Sequence, residues 1–101
     1  ETILERLDQY LYQCDDTYIT VCTDVFSSAF APGVSAPQSL GLDPEIVLPL
    51  IKHVLRTRKV RGFDICEISP RFDQDNTTAN LGAVIIFAVV NTLCRLNGLS
   101  L

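Results

Sequence analysis

The sequence contains no methionine, and its first residue is Glu1. We therefore expect its 101 residues to be a piece of a longer protein. A basic stripe is also missing, since 8 Lys and Arg stand against 12 Asp and Glu. The densest basic cluster, residues 56–61, falls at a predicted helix end, where cations complement the helix dipole. Nucleic-acid binding and membrane binding are therefore not expected.

The cysteines lack the close spacing of a zinc site or a disulfide framework. There is no CxxC pair among Cys14, Cys22, Cys66 and Cys94. Three of the four have apolar sequence neighbours, which is typical of reduced and buried thiols. We predict Cys66 and Cys94 to lie in the core and the protein to be cytoplasmic. The longest apolar run, residues 83–90, is too short to cross a bilayer.

Hydrophobic patterning predicts helices and strands in alternation. Residues 2–12 and 42–59 carry apolar side chains at helical spacing, and the second segment begins with Asp43 as N-cap and Pro44 in the first turn. Pro49 should kink this helix. Two segments rich in β-branched and aromatic residues, 18–24 and 60–68, predict strands that end on acids. A last helix, residues 78–96, is apolar nearly all round, which predicts that it is buried.

This order predicts an α/β fold with parallel strands and right-handed crossovers. Two parallel strands alone would leave apolar edges unpaired, so we expect them to belong to a larger sheet that is covered on both faces. Ligands bind such sheets at the carboxyl ends of the strands, where Asp24 and Glu67 lie. Spacing alone is equally consistent with acids that cap a following turn.

Two ordered motifs resemble those of the ureohydrolase superfamily, which comprises arginases, agmatinases and formimidoylglutamases. The first, "TVCTDVFSSAFAPGVSAP" at residues 20–37, resembles a strand with two aspartates followed by a loop rich in Ala, Pro and Gly. The second, "GFDICEISP" at residues 62–70, resembles the next strand of the family. The resemblance covers about residues 18–96, and its "APGVSAP" wording is most like that of formimidoylglutamases.

The resemblance implies a three-layer α/β/α fold of which residues 1–101 are the C-terminal portion of one domain, with about two strands and three helices. It also implies a binuclear Mn²⁺ centre whose bridging hydroxide attacks an amidine or guanidine carbon. The parent enzyme would hydrolyse N-formimidoyl-L-glutamate to glutamate and formamide. A homo-oligomer is implied as well. The upstream part of the domain supplies both histidines and two further aspartates, so the isolated piece should be inactive and bind Mn²⁺ no better than millimolar.

Three positions match functional residues of the family. Asp24 matches a metal ligand, and Glu67 matches the acid that faces the cationic substrate. Cys22 falls where the family has an aspartate that bridges both metals, although a thiolate suits manganese poorly. The loop of residues 31–37 would wall the pocket. No catalytic residue is assigned to this part of the chain.

Cys22 leaves three interpretations open: a degenerate site, a different metal arrangement, or a subfamily variation with partial function. The alternatives to a formimidoylglutamase are therefore an agmatinase- or arginase-type guanidine hydrolase and a non-catalytic relative. Outside the motifs, we expect His53 to be partly exposed, Asp64 to be a structural hydrogen-bond acceptor, and Asp75 or Asn76 to cap the last helix.

Overall fold

Helices and strands alternate along the chain, as the patterning predicts. The computed structural model describes residues 2–99. The helices and strands are, in order, α1 (Ile3–Tyr12), β1 (Thr17–Cys22), α2 (Pro44–Leu55), β2 (Val60–Cys66) and α3 (Thr77–Leu96). Within the described range β1 and β2 pair in parallel as a two-stranded sheet. The predicted α/β class and number of elements are therefore confirmed.

The first two helices begin at side-chain caps. Thr2 and Glu5 form a capping box at α1, in which each side chain accepts a hydrogen bond from the other residue's backbone N–H. At α2 the Asp43 carboxylate accepts the Glu45 N–H at 2.8 Å, as predicted. Pro49 lies inside α2, which continues through it to Leu55, and the kink expected there stays a prediction.

One face of the sheet forms the core and the other is open. The strand register pairs Thr20 with Asp64 and Cys22 with Cys66, so these four side chains share a face. The opposite face packs on a buried cluster formed with α2 and α3, which consists of Val21, Phe26, Ala31, Ile51, Leu55, Ile85 and Val89. On the open face Tyr18 is 61% exposed. Among the described residues α2 and α3 cover one face of the sheet, and the covering of the other face stays a prediction for the larger sheet to which these strands are expected to belong.

α3 is likewise buried along one stripe only. Its buried residues are Thr78, Gly82, Ile85, Val89 and Thr92. The expectation of burial all round is wrong here, because the remaining apolar side chains, among them Val84, Ile86, Phe87 and Val90, are exposed. α3 is long and apolar enough to cross a membrane by length and composition alone. Core helices of soluble proteins also meet this criterion.

Candidate functional site at the carboxyl edge of the sheet

The two predicted site acids lie just beyond the strands and not on them. β1 ends at Cys22 and is followed by a single 3₁₀ turn, Thr23–Val25, that carries Asp24. β2 ends at Cys66, one residue before Glu67. The fully buried Thr23 hydroxyl donates a 2.9 Å hydrogen bond to the Cys66 carbonyl, which ties the two strand ends together. Both acids therefore follow the same edge of the sheet, although the strands are shorter than predicted.

Asp24 is already engaged by the neighbouring thiol. Cys22 Sγ donates to Asp24 Oδ1 at 2.8 Å, and both side chains are half-buried. The hydrogen bond to Asp24, followed by burial, raises the pKa of Cys22 to about 11. At neutral pH the sulfur is therefore a protonated hydrogen-bond donor, whereas a metal ligand must be a thiolate.

Glu67 has an unusual backbone conformation. Its φ is 68°, in the left-handed region that residues other than glycine rarely adopt. Such a conformation costs on the order of 1–2 kcal/mol for a residue with a Cβ. The Glu67 side chain is exposed, and no described residue donates a hydrogen bond to its carboxylate. Its acceptor atoms are therefore open to a ligand at the edge where Asp24 also lies.

The loop predicted to wall a pocket is fastened at its glycine. Ala31 and Val34 are 0% and 3% exposed, so the loop is anchored in apolar surroundings. The Gly33 N–H donates to Thr78 Oγ1 at 2.7 Å, and the Gly33 carbonyl accepts the Ser69 N–H at 2.7 Å. These bonds hold the loop against the connection that follows Glu67. Both strand-end segments and the loop therefore form one packed unit.

The start of α3 is capped by a residue that sequence reasoning missed. The sequence predicts that Asp75 or Asn76 caps this helix, but Asn76, which occupies the N-cap position, makes no side-chain capping bond. Instead, the Asp73 carboxylate accepts the N–H groups of Thr78 and Ala79 at 2.9 and 3.1 Å. Left-handed conformations at Asp75 and Asn76, with φ of 51° and 59°, turn the chain so that Asp73 reaches back over the helix start. An acid shortly before a helix is a sequence signal for an N-terminal cap. Whether the Asp73 carboxylate reaches the helix start, however, depends on this turn.

The hydrogen bonds to Asp73 also set its charge. Burial alone would raise the pKa of this carboxyl, but the Thr78 and Ala79 N–H groups, the Thr78 hydroxyl and the Gln74 N–H together bring the pKa below its ordinary value. Asp73 is therefore a carboxylate at neutral pH. It also contacts the loop, because Gly33 lies directly against it.

The remaining predicted residues lie outside this unit. His53 is partly exposed, as expected, and its Nε2 lies 2.6 Å from Asp8 Oδ1 on α1. Asp64 accepts a hydrogen bond from the Thr20 hydroxyl at 3.3 Å, as expected for a structural acceptor. A hydrogen bond with Asp64 also raises the pKa of Tyr18 on the open face.

The prediction that Cys66 and Cys94 lie in the core is wrong. Cys66 is exposed because it projects from the open face of the sheet, and Cys94 is half-buried on α3. All four cysteines are free thiols in this structure. The metal roles expected for Asp24 and Cys22 need further ligands, because residues 2–99 contain no cluster of three His, Cys, Asp or Glu side chains that could hold an ion.

Known proteins match nearly the whole chain. The arginase family model matches residues 1–91. A formimidoylglutamase of Clostridium tetani is 61% identical over 99 residues, which cover 98% of this chain and 29% of that protein. The chain therefore spans less than a third of the curated relative it matches.

Solved structures agree on the fold. The crystal structure of formimidoylglutamase from Bacillus subtilis superposes with a TM-score of 0.83 at 26% identity, over 90% of this chain and 28% of that one. The agmatine ureohydrolase of Thermoplasma volcanium superposes with a TM-score of 0.78 at 30% identity, over 90% of this chain and 30% of that one. The sheet edge that carries Asp24 and Glu67 is thus part of a fold found in both proteins.

Proposed function

The chain belongs to the arginase family, and we propose that it is part of a hydrolase that cleaves the C–N bond of a linear amidine, with N-formimidoyl-L-glutamate as substrate and glutamate and formamide as products. The observation that carries this proposal is that Asp24 and Glu67 both follow the ends of paired strands at one sheet edge, beside a fastened loop. The 61% identity to the Clostridium tetani formimidoylglutamase supports the choice of substrate.

We place residues 1–101 in the C-terminal part of a single domain. The open sheet face and the exposed apolar side of α3 support this placement, because a parallel sheet is normally covered on both faces. The remainder of the same domain is the partner that would cover them. A cytoplasmic, homo-oligomeric enzyme without membrane or nucleic-acid contacts remains our prediction for the whole protein.

The residues at hand fit a binuclear manganese centre only in part. Asp24 offers the carboxylate oxygens that a hard cation prefers, and upstream ligands would complete its coordination. Cys22 does not fit the bridging position between two hard cations, because it offers one soft sulfur atom where a carboxylate offers two oxygens. Manganese, where bound, would supply the activation of water for attack on the amidine carbon.

The chain's own contribution to the reaction would be substrate binding. An amidinium group is planar and cationic, and the Glu67 carboxylate can accept charge-assisted hydrogen bonds from its N–H groups. The left-handed backbone at Glu67 sets the direction in which its Cα–Cβ bond leaves the chain. The loop of residues 31–37, held by Gly33, would exclude water from one side of the pocket.

The first test replaces Glu67 by glutamine in the intact protein. Glutamine keeps the size of the side chain and removes its charge, so kcat/KM for N-formimidoyl-L-glutamate should fall about 10- to 100-fold. Glu45→Gln is the matched control, since Glu45 is an exposed acid on α2, and it should leave kcat/KM unchanged. Unchanged turnover in Glu67→Gln would refute the substrate-binding role. If the natural protein hydrolysed agmatine or arginine in preference to N-formimidoyl-L-glutamate, the choice of substrate would be refuted.

A non-catalytic relative is the second candidate, and the hydrogen bond from Cys22 to Asp24 favours it. We expect Cys22→Asp to raise the Mn²⁺ affinity of the intact protein by about tenfold or more, because a carboxylate can bridge two hard cations where a thiol cannot. Calorimetric titration with MnCl₂ measures this affinity, and Cys22→Ser is the control of similar size without charge. If Cys22→Asp binds Mn²⁺ more tightly and gains turnover, the natural site is degenerate. If turnover falls, Cys22 belongs to a working site.

A further inference from the structure

Gly33, in the loop that follows β1, is bonded through both of its backbone polar groups. It is buried, and its N–H donates to Thr78 Oγ1 at 2.7 Å. Its carbonyl accepts the Ser69 N–H at 2.7 Å, and Ser69 is the second residue after Glu67. Gly33 therefore joins the start of α3 to the segment that carries Glu67.

Thr78 is the rigid end of this connection. It lies in the first turn of a 20-residue helix, and it is fully buried. Its own N–H donates to Asp73 Oδ1 at 2.9 Å, so its backbone is held separately from its side chain. Side chains on helices hold their partners more precisely than side chains on loops do. The Thr78 hydroxyl therefore offers the loop an acceptor at a fixed place.

We propose that Thr78 is a positioning residue, which sets the place of the loop of residues 31–37 relative to Glu67. Its effect on the reaction rests on the proposed function, in which this loop and Glu67 bound the substrate pocket. Thr78 does not touch the substrate, because it is fully buried and acts through Gly33. A loop that is already held in its binding position loses less conformational entropy when substrate binds.

The replacement Thr78→Val keeps the shape of the side chain and removes the acceptor. The buried Gly33 N–H would then lack a partner, so the loop should move until water reaches it. In the intact protein KM for N-formimidoyl-L-glutamate should rise about tenfold while kcat changes less than about threefold, because the loop must be reordered on binding. Thr78→Ser retains the hydroxyl and should recover most of the lost affinity.

Thr92→Val is the matched control. Thr92 is a second buried threonine of α3, but its hydroxyl donates to the Ala88 carbonyl of the same helix at 2.8 Å. The same chemical change at Thr92 therefore leaves the bonds of the loop in place, and KM should stay unchanged. Thr78→Ala, which also removes the hydroxyl, takes the place of Thr78→Val if that variant does not fold.

Hydrogen exchange measures the loop directly and requires no activity. Mass spectrometry of peptides that span residues 31–37 should show faster exchange in Thr78→Val than in the natural protein, Thr78→Ser or Thr92→Val.

Three results would overturn the proposed role of Thr78. They are unchanged exchange of the loop in Thr78→Val, a fall in kcat without a rise in KM, and an equal rise in KM in Thr92→Val. If the natural protein does not hydrolyse the substrate, the proposed function fails by itself. Exchange of the loop then decides the role of Thr78, which faster exchange in Thr78→Val supports and unchanged exchange overturns.

Discussion

Asp73 links two parts of the structure, the start of α3 and the loop that contains Gly33, through one carboxylate. It accepts hydrogen bonds from the first turn of α3, and Thr78, whose hydroxyl also bonds to Asp73, accepts the Gly33 N–H of the loop. A negative charge at this place also complements the positive end of the helix dipole. The charge of a single side chain therefore stabilises both the helix start and the position of the loop.

The replacement Asp73→Asn should destabilise the intact protein at neutral pH, because asparagine has one acceptor oxygen and no charge. The folded pKa of Asp73 lies below its ordinary value of 3.8, so folding favours the charged form. This stabilisation is complete above the ordinary pKa and is lost as the pH falls through the folded pKa. Urea unfolding at a series of pH values should therefore show that the free energy of unfolding of Asp73→Asn is lower than that of the natural protein, and that this difference becomes smaller as the pH falls.

Asp75→Asn is the matched control for this measurement. Asp75 is exposed in the same turn, and asparagine tolerates its left-handed backbone. Its unfolding curve should stay close to that of the natural protein. A stability difference for Asp73→Asn that is the same at low and neutral pH would contradict the charge-based explanation.

At the scale of elements, the loop after β1 is held by close backbone approach. Its two ends are joined by isolated β-bridges, which pair Phe26 with Leu42 and Ser27 with Gln38. At Gly33 an added Cβ would lie 2.7 Å from both Cβ and Cγ of Asp73. The loop can therefore approach the start of α3 only with glycine at this position.

Gly33→Ala should destabilise the intact protein by about 1–3 kcal/mol, since the new methyl group forces Asp73 and its capping bonds to move. Chemical denaturation measures this loss. Gly82→Ala is the control, because there the new Cβ would meet the flexible end of Ile68 at 2.6 Å and alanine is favoured within a helix. Equal effects of the two replacements would show that the contact with Asp73 is not the cause.

At the scale of the whole molecule, the described chain exposes more apolar surface than a finished domain would. Phe87 on α3 is 61% exposed, and other apolar side chains of the same helix accompany it. Contiguous exposed apolar patches of this kind usually mark an interface. The match covers only 29% of the length of the Clostridium tetani formimidoylglutamase. Together with the exposed apolar surface, this coverage supports a domain that is completed by further sequence.

Phe87→Ala tests that placement in the intact protein. If the rest of the domain covers α3, this replacement should reduce the free energy of unfolding by about 3–5 kcal/mol, as for a buried phenylalanine. Leu40→Ala is the control, because Leu40 is 100% exposed in a loop and should change stability by less than about 0.5 kcal/mol. A comparably small effect of Phe87→Ala would mean that this face of α3 remains open.

Much of the fold was predictable because it follows from local rules. Asp43 and Pro44 predict the start of α2. The first N–H groups of a helix lack intrahelical partners, and the carboxylate of an acid at the N-cap accepts a hydrogen bond from one of them whatever the surroundings. The capping of α3 was not predictable in this way. The reach of Asp73 depends on two left-handed residues, which local preference leaves open.

For the candidate site, sequence patterns determined the alternation of elements, the parallel strands and the identity of the acids that follow them, because hydrophobic period and motif spacing are properties of the chain itself. Only the tertiary structure decided which groups meet. The strand register placed Cys66 beside Cys22, and the 3₁₀ turn placed Asp24 on the Cys22 thiol. The bond from Thr23 to the end of β2 joined both strand ends. Such contacts join residues that are far apart in the sequence, as in the pairing of Thr20 with Asp64, which are 44 positions apart, and no local preference encodes them.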